Sequence, residues 1–146
     1  MRALIIGWLV LGLLLAATAH ILGPYLDSCG EDDTAYAREY AGEMLLLLEQ
    51  MSVKADTLAG TPAAARDHYL DAAAELGRRK QAAVHLKGDL AYDFVFAFAC
   101  AEEWCRASAA AISGPEDAAD RRRTRAALAR AQAEFTAIST KDYKSR

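Results

Sequence analysis

Leu90 to Ala101 reads LAYDFVFAFACA, and whether this stretch is strand or helix decides the fold. Tyr92, Phe94, Phe96 and Phe98 recur at every second position, the period of a strand, and Lys87-Gly88-Asp89 ahead of them suits a hairpin turn. Against the strand stand Ala91, Ala97, Ala99 and Ala101, which favour helix, and the lack of a convincing partner strand on either side. The stretch is read as a central buried helix that continues through Glu102, Glu103, Trp104 and Arg106 to Ile112. On a helix Phe96 lies roughly 160° round from Phe98. Phe94, Phe98 and Trp104 are then expected in the core, surrounded by Tyr40, Leu47, Met51, Leu128 and Phe135 from the first and last helices of the domain.

Downstream, Ser113 with Glu116 three residues on, and Pro115 between them, forms a capping box that opens a last helix. Thr124, Leu128, Ala131, Phe135 and Ile138 repeat there by four and three, and the polar tail over residues 140–146 is expected to fray. Upstream, a first domain helix starts near Asp32-Asp33, acids suited to the positive end of a helix dipole, and runs to about Leu58. Its stripe is read through Tyr36, Tyr40, Met44, Leu47, Met51, Ala55 and Leu58. Ala59-Gly60 ends it, and Thr61 with Pro62 starts a second helix that packs antiparallel after a short loop. That helix runs through Tyr69, Ala72, Ala73 and Leu76, carries the Arg78-Arg79-Lys80 triplet as a solvated face, and resumes its apolar pattern at Ala83, Val84 and Leu86 before Gly88. The composition is rich in Ala, Leu, Glu and Arg, as a helical domain requires. The fold class is therefore all-α, an up-and-down bundle of three or four helices over residues 31–139 behind an N-terminal transmembrane or signal helix.

That leading segment, residues 1–22, holds the apolar run ALIIGWLVLGLLLAATAHIL from Ala3 to Leu22. About 20 apolar residues at about 1.5 Å rise each match a hydrocarbon core of about 30 Å. Arg2 precedes the run and Asp27, Glu31, Asp32 and Asp33 follow it, an asymmetry that keeps the N-terminus in the cytoplasm and sends the domain outside. Two fates stay open. Ala17-Thr18-Ala19 suits signal-peptide cleavage after Ala19, giving a periplasmic or secreted protein, whereas Ile21 and Leu22 carry the apolar character past that cut, as a retained single-pass anchor would. Residues 23–30 form a linker, in which Leu26-Asp27-Ser28-Cys29 resembles the bacterial lipobox and would imply a lipid on Cys29; Asp27 and the early end of the apolar run depart from that pattern.

Cys29, Cys100 and Cys105 lie on the expected exported side, where disulfides can form. Five residues along a helix turn Cys100 and Cys105 about 140° apart, so a bond to Cys29 is the easier pairing, with buried free thiols as the alternative. Charge is uneven along the chain. From His20 to Gly60 eight acids oppose two bases, and from Gly114 to Arg146 eight bases oppose five acids, so the two ends can attract each other within one chain or between copies, as in a homo-oligomer.

No haem-attachment motif and no paired Glu-x-x-His motif of a di-iron bundle occurs, and no nucleophile or general base is identifiable. His68, Asp71 and Glu75 share one helix face and could ligate a divalent metal, which makes a metal- or cofactor-binding module the alternative function. Arg121, Arg122, Arg123 and Arg125 are the candidate partner-binding residues; export and the absence of interleaved aromatics argue against nucleic acid and leave an acidic partner protein, the acidic first helix or anionic lipid headgroups to meet them. The expectation is a protein that is not an enzyme and binds no cofactor: a membrane-tethered or periplasmic interaction protein, an accessory subunit or an immunity or inhibitor protein for an exported partner, in contact with the membrane through residues 3–22.

Overall fold

The computed structural model describes residues 33–114 and 118–143, which form helices α1 (Asp33–Thr57), α2 (Pro62–Ala83), α3 (Gly88–Ser113) and α4 (Ala118–Thr140). The export segment, the linker with Cys29 and the Pro115-Glu116 part of the capping box lie outside the described residues. Among the described residues no helix is long and apolar enough to cross a membrane, and all regular structure is helical. The period-two aromatics of the deciding stretch are thus carried by α3, where Phe94 and Phe98 are completely buried and Phe96 is 37% exposed.

α1 and α2 begin where local chemistry favours them, whereas Ser113, expected to cap the last helix, ends α3 with its hydroxyl donating to the Ala109 carbonyl at 3.1 Å. α1 opens on Asp33 and carries Lys54 in its last turn, both matched to the dipole. Pro62 opens α2, and the Thr61 carbonyl accepts the Ala65 amide at 3.0 Å, although the Thr61 hydroxyl makes no cap. α2 stops at Ala83, short of the apolar Val84 and Leu86, because the chain turns over residues 84–87 and Gly88 takes φ +53°, a left-handed conformation in which a side chain would be strained. Leu86 packs against the core from that turn, while Val84 is exposed.

The α2–α3 interface is the most extensive, followed by α3–α4 and α1–α4; α1 meets α2 over a small area and α3 over a smaller one. The four helices therefore run up and down, with α1 diagonal to α3 and the α1–α2 corner loosely closed. Phe94, Phe98, Phe135, Leu48, Leu76 and Cys105 are wholly enclosed. Tyr40 joins the aromatic centre from α1, its ring 5.1 Å from that of Phe94 and 6.1 Å from Phe98, while Phe135 meets Phe98 edge-on at 5.3 Å. Trp104 is buried against Tyr69 of α2 at 5.6 Å.

Two readings need correction. The buried seam of α1 runs through Ala37, Ala41, Met44, Leu48, Met51 and Ala55, one residue beyond the expected stripe at several turns; Tyr36 is 48% exposed and Leu47 half-buried. The small Ala37, Ala41 and Ala55 take buried positions, and the half-buried Tyr40 packs against the core beside them. The tail does not fray at its start. After α4 the chain folds back so that Tyr143 is buried, its amide donating to Thr34 Oγ1 at 2.9 Å and its hydroxyl to Asp93 Oδ2 at 2.7 Å. Lys141 Nζ adds a 2.5 Å bond to Asp93, and Thr34 Oγ1 donates to Asp142 Oδ1 at 3.1 Å. The starts of α1 and α3 and the end of α4 are thereby fastened at one end of the bundle, the end where residue 33 enters.

Candidate functional site

A groove of about 540 Å³ runs along the outer side of α3, walled by Lys80 of α2 and by Asp120, Arg123 and Thr124 of α4. Its floor is made of small residues, Ala99, Ala107, Ala110 and Ala111, with Glu102, Glu103 and Arg106 between them. Alanine at these positions keeps the floor low while favouring helix, so the Ala-rich sequence of α3 supplies the floor of the groove.

Glu102 is the electrostatic centre of this surface. Its side chain is 12% exposed and accepts hydrogen bonds from Lys80 Nζ across the α2–α3 interface and from Arg106 Nη2, one turn on, at 2.5 Å. The Lys80 hydrogen bond, with the charges of Lys80 and Arg106, outweighs desolvation and holds the Glu102 carboxyl below the usual range. The Arg78-Arg79-Lys80 triplet is accordingly not one solvated face. Arg78 and Arg79 both hold Glu75 on their own helix, at 2.6 and 2.8 Å, and Lys80 turns to α3. Glu102–Arg106 was legible as an i, i+4 pair. Nothing in the sequence signalled that Lys80 would complete it, because that contact depends on how α2 packs on α3.

Of the four arginines expected to bind a partner, only Arg123 lines the groove. Arg121, Arg122 and Arg125 are exposed on the first two turns of α4, beyond the groove. Arginines at a helix N-terminus oppose the macrodipole, so their placement is not explained by helix stability; Asp120 is the first-turn acid that offsets them. From Arg123 to Thr140 the rise is roughly 25 Å, which sets these bases at the end of the bundle opposite Asp33.

The alternative metal face is not assembled. His68 Nε2 donates to the Met51 carbonyl at 3.0 Å, tying α2 to α1 across their loose corner, and Glu75 is engaged by Arg78 and Arg79. Among the described residues no group of three His, Cys, Asp or Glu side chains could hold a metal ion. Cys100 and Cys105 are buried free thiols on α3. Burial pushes the Cys105 thiol up to about 12 and raises Cys100 as well, so neither presents a thiolate for nucleophilic chemistry near neutral pH. Cys29, the other disulfide candidate, lies outside the described residues. Comparison of the chain with protein-family models, with curated proteins and with solved structures finds no match.

Proposed function

We propose that this chain is a non-catalytic helical interaction protein, held at the outer side of a membrane or released beyond it by its N-terminal segment, which offers the basic end of α4 to an acidic partner protein. An accessory subunit or an immunity or inhibitor protein for an exported partner fits this description. The observation that carries the reading is the exposed cluster Arg121, Arg122, Arg123 and Arg125 at the end of the bundle remote from Asp33, against the preference of a helix N-terminus for acids. A tether entering at Asp33 leaves that end clear of the membrane, and arginine is suited to carboxylates because its planar fork binds them through two bonds. Charges of this kind steer association and select the partner more than they add affinity.

Crosslinking of the full chain in its native membrane, followed by capture, tests the proposal. One acidic partner should be recovered in stoichiometric yield with the natural sequence and lost with Arg121→Glu, Arg122→Glu and Arg125→Glu combined, while the melting temperature stays unchanged. Undiminished capture by the charge-reversed chain rejects the role of these residues.

A further inference from the structure

We infer that copies of this chain associate side by side in one membrane, the outer face of α1 of one copy docking into the groove along α3 of the next. The parallel arrangement rests on the proposed tethering by residues 3–22; the complementarity of the two faces does not. On α1, Glu39, Glu43, Leu46, Glu49 and Val53 are exposed, Leu46 at 55% and Val53 at 57%, and helical spacing gathers them on one side, opposite the buried Ala37, Ala41, Met44 and Leu48. This face is acidic with an apolar centre. On α3 the side turned away from the core carries Tyr92, 74% exposed, Phe96, and then Ala99, Ala107 and Ala110 along the groove floor. Bases edge it: Lys80 and Arg106, Arg123 from α4, and Arg130, whose guanidinium lies 5.4 Å from the Phe96 ring centroid. Four bases there stand with four acids, Glu102, Glu103, Asp120 and Glu134, and Glu102 engages Lys80 and Arg106, which leaves Arg123 and Arg130 as the bases that can meet a neighbour's glutamates.

Position matches composition. Tyr40 touches both Phe94 and Phe98, so it stands level with that turn of α3. α1 and α3 both start at the end where Thr34, Asp93 and Tyr143 meet, so they rise in the same direction. Equal steps from Tyr40 bring Glu43 level with Ala99, and Glu49 and Val53 level with positions 105 and 109, each within one residue of the exposed Arg106 and Ala110. A neighbour displaced within the membrane plane keeps these levels. Val53 then meets the alanine floor beside Ala110, Leu46 lies at the level of Glu102 between Ala99 and Ala107, and the glutamates run past Arg130 and Arg123 over about 21 Å of helix, from Glu39 to Val53. Because α1 and α3 occupy diagonal corners, their outer faces point apart. The contact is therefore heterologous and extends into an open row instead of closing into a pair.

The full chain carrying Val53→Cys together with Ala110→Cys, treated with a short bis-maleimide in its native membrane, tests this directly. A ladder of dimers, trimers and longer species should appear only when both cysteines are present, with the natural sequence and each single variant as blanks for Cys29, Cys100 and Cys105. Adding Glu43→Arg and Glu49→Arg should weaken the ladder about tenfold without changing the melting temperature, and Arg123→Glu with Arg130→Glu should restore it. Dimers from Val53→Cys alone would mean a two-fold α1 contact, and a ladder from Val53→Cys with Tyr92→Cys an antiparallel one; either overturns the inference, as does the absence of a ladder. Loss of partner capture with the ladder kept rejects the proposed function alone, whereas a missing ladder with capture kept rejects this inference alone.

Discussion

At the scale of single residues, Glu102 shows how a charge is tolerated in a helix interface: it keeps two cationic donors, one of them strongly exposed, and so remains ionised. Its folded pKa is depressed chiefly by the Lys80 hydrogen bond, so its contribution is complete above the unfolded carboxyl range and is lost as pH falls through the folded value. Glu102→Gln should cost about 1–2 kcal/mol at pH 7, toward the low end for bonds to charged groups because Lys80 and Arg106 are partly solvated. In urea titrations the gap between the two proteins should narrow steadily as the pH is lowered into the acid range; a constant gap would show that the carboxylate's charge is irrelevant. The aromatic pair in the same helix makes a sharper contrast. Phe98 is completely buried, so Phe98→Ala should cost about 3–5 kcal/mol and lower the melting temperature by on the order of 15 °C or more. Phe96→Ala removes a half-exposed ring and its contact with Arg130, a loss of about 1 kcal/mol or less. Equal losses would contradict the helical phase of α3.

At the scale of elements, the helices and their order were readable because Pro62, Gly88 and the 3.6-residue pattern punctuate the chain, whereas the phase of α1 was not. Choosing the largest apolar residues selected Tyr36 and Leu47, whereas the completely buried positions of the seam are held by the small Ala37 and Ala41 together with Leu48. The same limit applies to the end of α4, since residues 141–143 look like any polar tail until Thr34 and Asp93 are placed beside them. Tyr143→Phe removes the hydroxyl bond to Asp93 and should cost about 1–2 kcal/mol. Hydrogen exchange locates the effect: protection should fall in the first turns of α3, which lose the hydroxyl bond, and hold at the α1–α2 loop end, the link to Thr34 of α1 being kept by the Tyr143 amide. A uniform fall would mean that the clasp acts only through global stability.

At the scale of the whole molecule, polarity along the bundle axis connects fold to function. The clasped end carries both the incoming chain at Asp33 and the outgoing chain after Tyr143, and the basic end of α4 lies at the far side. The charge difference between the stretches 20–60 and 114–146 was legible in the sequence; its resolution into one basic end and one acidic lateral face required the up-and-down topology. The groove was not legible at all, because its walls come from α2 and α4 and its floor from alanines that read as mere helix formers. The same geometry makes the topology of the chain testable at its C-terminus. Arg2 ahead of the apolar run and acids behind it are expected to send the bundle out of the cytoplasm. Tyr143 is bonded to Thr34, so a protein fused at the end of the chain must share the compartment of the start of α1. A reporter active only in the cytoplasm should therefore be silent when fused there, and one that needs export should be active. Fusions to a chain lacking residues 1–22 should show the reverse. Cytoplasmic activity of the full-length fusion would remove the exported interaction protein from consideration, and mass determination of the mature chain would separate a retained anchor from cleavage after Ala19.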